Sequence, residues 1–284
     1  MELLKGKPVS DMIREAVMAQ IKPEEGIVPR LAIVRVGEKP EDLAYEKSAA
    51  KKLTELGIDV VGCAMTDDIT PEDFMKTFSE INGDKSIDGI LVMRPLPGHL
   101  KEYEEWLALH IDPDKDVDGI SPINLAGVMR GNPEAFAPCT AQAVIEILKG
   151  HGIQLQGKNV VLIGRSMVIG RPLSMLLLKE NATVTICHTK TVDLPKICKA
   201  ADIVIAAAGH AKLVTPEYVR DGQILVDVGI NVGEDGNLTG DIDLCEIEKA
   251  GINVSATPVP GGIGIVTTSV LAKNVCLSKT RHMM

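Results

Sequence analysis

The sequence predicts two α/β domains, the second a Rossmann-like doubly wound parallel sheet, with the active-site cleft between them. Three observations carry that expectation. An apolar run at 159–163 opens through Gly164-Arg165-Ser166-Met167-Val168-Ile169-Gly170-Arg171-Pro172 into a helix-like stretch at 173–179. Aliphatic strand candidates follow at 183–187, 203–207 and 224–228, alternating with helix-like stretches. The first half alternates in the same way, and 284 residues suffice for two domains with cores of their own.

In chain order, 31–36 is a short aliphatic strand. A helix starts at Pro40 and runs to 56, where Gly57 stops it. Residues 58–63 form a strand, 71–81 a helix and 89–93 a buried strand, which Pro95-Leu96-Pro97-Gly98 ends abruptly. A helix around 102–109 precedes an acidic loop, Asp112-Pro113-Asp114-Lys115-Asp116-Val117-Asp118-Gly119. The next helix begins at Thr140, whose hydroxyl can cap it, and leads into the strand at 159. The segment Thr257-Pro258-Val259-Pro260-Gly261-Gly262-Ile263-Gly264 is too rich in Pro and Gly for helix or strand and forms a loop. A last helix, from 266 to about 277, returns to the first domain. The expected domains are therefore 1–139 joined by 266–284, and 140–265.

Composition narrows the function. A net charge of −9 with scattered Lys and Arg argues against a nucleic-acid partner. Hydrophobic residues make up 45% but aromatics only 2%, so the cores are aliphatic. No run reaches the roughly eighteen apolar residues of a membrane span, and the N-terminus has no signal-peptide apolar region. The six cysteines are dispersed without a C-x-x-C pair, which suits reduced thiols in a cytoplasm and no metal site.

The turn at 164–172 carries the sharpest chemistry. A buried strand opening through a glycine-rich turn into a helix is the phosphate-cradling element of a dinucleotide-binding domain. Its N–H groups and the helix N-terminus face the pyrophosphate. The spacing is unusual: Ser166 takes the second glycine's place and Gly170 comes one residue late. A plain tight turn is the competing reading. The strand at 183–187 lies about twenty residues on, where a NAD-binding domain carries an acid for the ribose 2′-OH. Here it ends in Cys187-His188-Thr189-Lys190, with no carboxylate. Arg165, Ser166, His188 and Lys190 can together hold a 2′-phosphate, which points to NADP. A solvated basic turn is the alternative.

These segments also carry a family resemblance. Its pieces are Val36-Gly37 followed by Tyr45; Asp88-Gly89-Ile90-Leu91-Val92 with Pro95-Leu96-Pro97; the loop from Pro113 to Gly119; and Pro138-Cys139-Thr140. Then come Gly164-Arg165-Ser166 with Gly170-Arg171-Pro172, Asp227-Val228-Gly229-Ile230-Asn231, Gly240-Asp241 and the loop from Pro258 to Gly264. In that order they resemble the methylenetetrahydrofolate dehydrogenase/methenyltetrahydrofolate cyclohydrolase family over nearly the whole chain.

The resemblance implies oxidation of 5,10-methylenetetrahydrofolate with NAD(P), then hydrolysis of the methenyl product to 10-formyltetrahydrofolate. It also implies a cytoplasmic homodimer serving one-carbon metabolism and purine biosynthesis. By resemblance, Tyr45 stacks on the aminobenzoyl ring, Asp118 holds the pterin, and Pro258, Pro260, Gly261 and Gly262 border the substrate. Gly164, Arg165, Ser166, Gly170, His188, Lys190 and Ile230 contact the cofactor by the same argument. A tyrosine does offer a flat face with a polar tip, and a carboxylate can pair with adjacent pterin N–H donors. Without the family, a half-buried core tyrosine and a turn-capping aspartate account for the same two residues.

The chain departs from the family at Asp42, where serine is common, at Ile265-Val266, where Pro-Met is common, and, with consequences for the chemistry, at the cyclohydrolase motif. The cyclohydrolase motif is Tyr-x-x-x-Lys, and the lysine position after Tyr45 is Ala49. The family's Val-Gln-Leu-Pro-Leu-Pro is here Val92-Met93-Arg94-Pro95-Leu96-Pro97, so the glutamine that bonds the lysine is also missing. Two basic residues are candidate substitutes. At roughly 100° per residue, Lys52 lies about 20° from Tyr45 around the helix but about two turns along. Arg94 stays protonated, so it can act electrostatically but not as a base.

Oxidation by hydride loss yields a resonance-stabilised cation and needs alignment more than proton transfer. Hydrolysis must move protons, work suited to a tuned lysine. The expectation is an NADP-dependent dehydrogenase whose cyclohydrolase activity is weak, altered or run by other residues. Two other classes compete. One is a different two-domain NADP oxidoreductase acting on a cyclic hydroxy acid such as shikimate, which has no need of the loops at Asp118 and 258–264. The other is a non-catalytic folate- or nucleotide-binding protein, to which the missing lysine points.

Overall fold

A computed structural model describes residues 1–233 and 236–283. It contains two compact units, one of Met1–Asp11 with Thr140–Thr267, the other of Met12–Cys139 with Thr268–Met284. In chain order the first elements are β1 (Glu2–Leu3), α1 (Gly6–Met18), β2 (Arg30–Val36), α2 (Pro40–Thr54), β3 (Asp59–Met65), α3 (Pro71–Gly83), β4 (Gly89–Val92), α4 (Tyr103–His110) and α5 (Pro122–Met129). Then follow α6 (Cys139–Gly150), β5 (Asn159–Ile163), α7 (Gly170–Lys179), β6 (Thr183–Cys187), α8 (Leu194–Ala200), β7 (Ile203–Ala206) and β8 (Ile224–Asp227). The last are β9 (Asn231–Val232), β10 (Leu238–Thr239), α9 (Leu244–Lys249), β11 (Ser255–Ala256) and α10 (Ile263–His282).

The unit built on 12–139 has a parallel sheet in the order β3-β2-β4. Central β2 is a near-continuous aliphatic run, buried on both faces as a parallel strand between helices must be. Its core gathers the scarce aromatics. Phe74 and Phe78, one turn apart on α3, stack at 6.4 Å, and both meet Trp106 of α4 edge-on. Among the described residues, strand β3 pairs only with β2, and most of its residues are exposed or half-buried.

The other unit holds a six-stranded parallel sheet, order β1-β11-β8-β7-β5-β6. The chain leaves β5 for β6 on one side, then crosses back to β7 on the other. That reversal makes a topological switch point at the carboxyl ends of β5 and β7, where such sheets take their ligands. The aliphatic core includes Val161, Ile163, Val204, Leu225 and Ile247.

Several boundaries differ from the sequence reading. Glu2 and Leu3 pair with Ser255 and Ala256, so the first residues belong with the six-stranded sheet, where the reading had them in 1–139. A two-residue strand offers no periodicity to read. Helix α1 is an element the sequence expectation lacks, and its buried Val9, Ile13 and Val17 recur every fourth residue. Helix α10 starts at Ile263 and reaches His282, longer at both ends than expected.

Candidate active site

Helix α2 begins at Pro40 and has Glu41 and Asp42 in its first turn, where acids complement the helix dipole. It carries Tyr45 and Ala49 one turn apart. Ala49 is buried, whereas Tyr45 keeps 39% of its surface. Desolvation, then the charges of Asp118 and Cys139, hold the Tyr45 phenol well above its usual range. Tyr45 is therefore a neutral flat ring with a hydroxyl donor, not a base.

Asp118 ends a loop that is built around Asp116. The fully buried Asp116 carboxylate accepts from Ile120 N–H (2.9 Å), Ser121 N–H (2.7 Å) and the Asn124 amide (2.9 Å). Asn124 also donates to the Pro113 carbonyl and accepts from Phe136 N–H. The rigid loop presents a half-buried Asp118 with Arg94 Nη2 at 3.9 Å from its Oδ2. Desolvation, the largest influence, raises the Asp118 carboxyl, and Asp116 adds to it. Arg94 and hydrogen bonds from Cys139 oppose them. The Cys139 thiol lies 3.2 Å from the Val117 carbonyl, and burial holds it well above the usual thiol range. Tyr45, Asp118 and Arg94 are thus electrostatically joined in one cluster. Lys52, half-buried on α2, forms no ion pair among the described residues. Met93, in the glutamine's position, is half-buried beside Arg94.

The cofactor candidates share one sheet edge in the other unit. Ile163 and Cys187 are register partners at the ends of β5 and β6, and Gly164 N–H donates to the Cys187 carbonyl (2.9 Å). The turns after both strands therefore emerge side by side. Gly164 has φ +130°, and a Cβ there would strike the Ala207 carbonyl; a Cβ on Gly170 would strike the Gly164 carbonyl. Both positions need glycine. Ser166 Oγ accepts from Ile169 N–H (3.1 Å), tightening the turn, while Arg165, Ser166, Met167 and Val168 are exposed. In the neighbouring turn, Lys190 N–H donates to His188 Nδ1 (3.1 Å), leaving Nε2 as the free ring nitrogen. Arg165 and Lys190 are exposed and pair with no carboxylate among the described residues.

The loop at Pro258, Pro260, Gly261 and Gly262 lies in this same unit. Gly6 N–H donates to the Gly261 carbonyl (2.9 Å), and a Cβ on Gly6 would strike Gly262. Ile230, 64% exposed, follows β8. Sequence reasoning gave no role to Asp116, Asn124 or Asp227, and quoted Cys139 and Asp241 only as motif letters. Hydrogen bonds inside loops leave no periodic signal in a sequence.

Comparison with known proteins covers both units. Residues 4–118 match the family described as tetrahydrofolate dehydrogenase/cyclohydrolase, catalytic domain, and residues 138–283 match its NAD(P)-binding domain. The chain is 48% identical over 277 residues to the bifunctional protein FolD of Alkaliphilus oremlandii, covering 96% of this chain and 95% of that one. The crystal structure of the FolD methylenetetrahydrofolate dehydrogenase/cyclohydrolase of Campylobacter jejuni superposes with a TM-score of 0.93 at 38% identity, over 99% of both chains. The Trypanosoma brucei enzyme complexed with NADP cofactor and inhibitor gives 0.90 at 30% identity, over 99% of this chain and 98% of that one. Shikimate dehydrogenase of Aquifex aeolicus, at 12% identity and a TM-score of 0.54, shares the fold alone.

Proposed function

The chain belongs to the tetrahydrofolate dehydrogenase/cyclohydrolase family, and on that premise we propose that it oxidises 5,10-methylenetetrahydrofolate to the methenyl form with NADP, while hydrolysis of the product is weak or absent. The observation that carries this reading is a single turn of α2: Tyr45 is kept, and the next position on its face is a buried Ala49 in place of the family's lysine.

The residues of the 140–267 unit fit NADP. Gly164 and Gly170 leave a cradle that any Cβ would fill, and the helix N-terminus of α7 follows it. Arg165, Ser166, His188 and Lys190 offer cationic and hydrogen-bonding groups for a 2′-phosphate, with no acid at the end of β6 to favour a bare ribose. When bound, NADP supplies the hydride acceptor. Tyr45 then stacks on the folate's aminobenzoyl ring, and Asp118, facing Arg94, accepts the pterin N–H donors. Neither residue has to move a proton for oxidation. The raised Tyr45 phenol and the Arg94 guanidinium are not bases, and the Asp118 carboxylate is taken up by the pterin, so none of the three stands in for the missing lysine in hydrolysis. Pro258 to Gly262 are assigned to the substrate's border and Ile230 to the cofactor.

No described helix is long and apolar enough to cross a membrane, and all six cysteines are free; the cytoplasmic location proposed for the enzyme rests on its family. The open edge of β3 supports a homodimer formed by two such edges. Light scattering tests the dimer.

The deciding experiment supplies methylenetetrahydrofolate and NADP and follows methenyl product and its hydrolysis separately. Reduced nicotinamide with accumulating methenyl product is the expected result. Binding without turnover would favour a non-catalytic folate-binding protein, and turnover of shikimate instead would favour the other oxidoreductase class.

A further inference from the structure

Two buried carboxylates, without a cationic partner among the described residues, sit at the carboxyl end of the six-stranded sheet. Asp227, 2% exposed at the end of β8, accepts from Gly229 N–H (3.0 Å), Asp241 N–H (2.9 Å) and Ile242 N–H (2.9 Å). Asp241, fully buried after β10, accepts from Ala208 N–H (2.7 Å), Gly209 N–H (2.9 Å), His210 N–H (2.9 Å) and the Asn231 amide (2.9 Å). Buried carboxylates are costly unless fully hydrogen-bonded. Here the donors come from four segments: the turn after β7, the turn after β8, the first residue of β9, and the chain leaving β10. The backbone is wrapped so closely that a Cβ on Gly229 would strike Asp241 and one on Gly240 would strike Asp227. This explains both glycines without any positive φ.

The knot ties down an otherwise apolar and exposed surface. Ile230 lies between Gly229 and Asn231, and the hairpin β9–β10 presents Val232 (73% exposed) opposite Leu238 (46%). In a doubly wound sheet the dinucleotide straddles the switch point. The candidate 2′-phosphate groups sit on the β5–β6 side, so the other half of the dinucleotide extends over β7 and β8. We propose that Asp227 and Asp241 are positioning residues that fix the Ile230 turn and the β9–β10 hairpin as the wall for the nicotinamide half of the cofactor. This rests on the reading of that edge as the NADP site.

The test compares NADPH with 2′,5′-ADP, a fragment that keeps the 2′-phosphate but lacks the nicotinamide. Binding is titrated for the full-length protein, for Asp241→Asn and for Asn231→Ala, with melting temperature measured alongside. Asn231→Ala removes a half-buried donor to Asp241 and leaves three backbone donors in place. The expected result is NADPH binding weakened about tenfold in Asp241→Asn, and less in Asn231→Ala, with 2′,5′-ADP affinity unchanged in both. Parallel loss of both ligands, or loss of neither, would overturn the proposal. If the unmodified protein fails to bind 2′,5′-ADP, the NADP reading itself falls and the proposal with it.

Discussion

Ala49 lies one helical turn beyond Tyr45 on α2 and is 2% exposed, against 39% for Tyr45. The position that carries the family's lysine thus survives as a shielded spot one turn from the Tyr45 ring. A lysine placed there would be partly desolvated, which lowers its pKa toward the range of a useful general base.

Restoring both missing groups should therefore create hydrolysis. Ala49→Lys with Met93→Gln is expected to raise methenyl hydrolysis by about 10²–10⁴-fold, the range of general acid–base catalysis. Ala49→Lys alone should gain less, because an unpartnered lysine is poorly oriented, and the double change should exceed the product of the singles. Oxidation should change much less. Brisk hydrolysis by the parent protein, abolished by Lys52→Ala or Arg94→Ala, would identify a substitute catalytic residue and end this reading.

Arg165 is the residue on which the proposed choice of NADP over NAD is tested. Exposed and without a carboxylate partner among the described residues, it is open to a 2′-phosphate, and a charge-assisted contact there is worth about 1–3 kcal/mol. Arg165→Ala should raise the KM for NADP about tenfold and leave that for NAD nearly unchanged. Equal losses for both cofactors would show that the arginine only shapes the turn.

Arg94 should set the pH range of folate binding. Its guanidinium opposes the desolvation that raises the Asp118 carboxyl. Arg94→Leu removes that positive charge, so the Asp118 pKa rises further. The acid limb of kcat/KM for the folate should then move to higher pH, with NADPH affinity unaltered. Asp118→Ala should remove the limb along with folate binding. A limb that stays in place in Arg94→Leu would detach it from Asp118.

Much of this molecule was legible in its sequence, for physical reasons. Buried parallel strands such as β5 and β7 are unbroken aliphatic runs, and Gly164 and Gly170 mark the turn because no other residue fits. The strands β1, β9, β10 and β11 have two residues each and are defined by their partners, so no local pattern announces them. The substitution at Ala49 was visible as a missing letter. The support of Asp118 by Asp116 and Asn124 was not, because a hydrogen-bonded loop is specified by geometry between residues of differing type.

The Asp227–Asp241 knot should also leave a signature in stability. Burial is the largest influence on Asp227 and raises its carboxyl from 3.8 to about 6; the Asp241 charge adds to this, while N–H donors oppose it. In that window Asp227 holds its proton more in the native state than in the unfolded chain, so this group's contribution to stability falls as pH rises from 3.8 to about 6. Full ionisation should lower the unfolding free energy by about 1–3 kcal/mol. Asp227→Asn lacks the titration and has a constant offset instead, from an amide facing N–H donors. Urea unfolding of both proteins across that window, where other carboxylates titrate in common and cancel, should show the parent losing stability relative to the variant as pH rises. Parallel curves would mean that Asp227 is ionised throughout, stabilised by its N–H donors more strongly than burial penalises it.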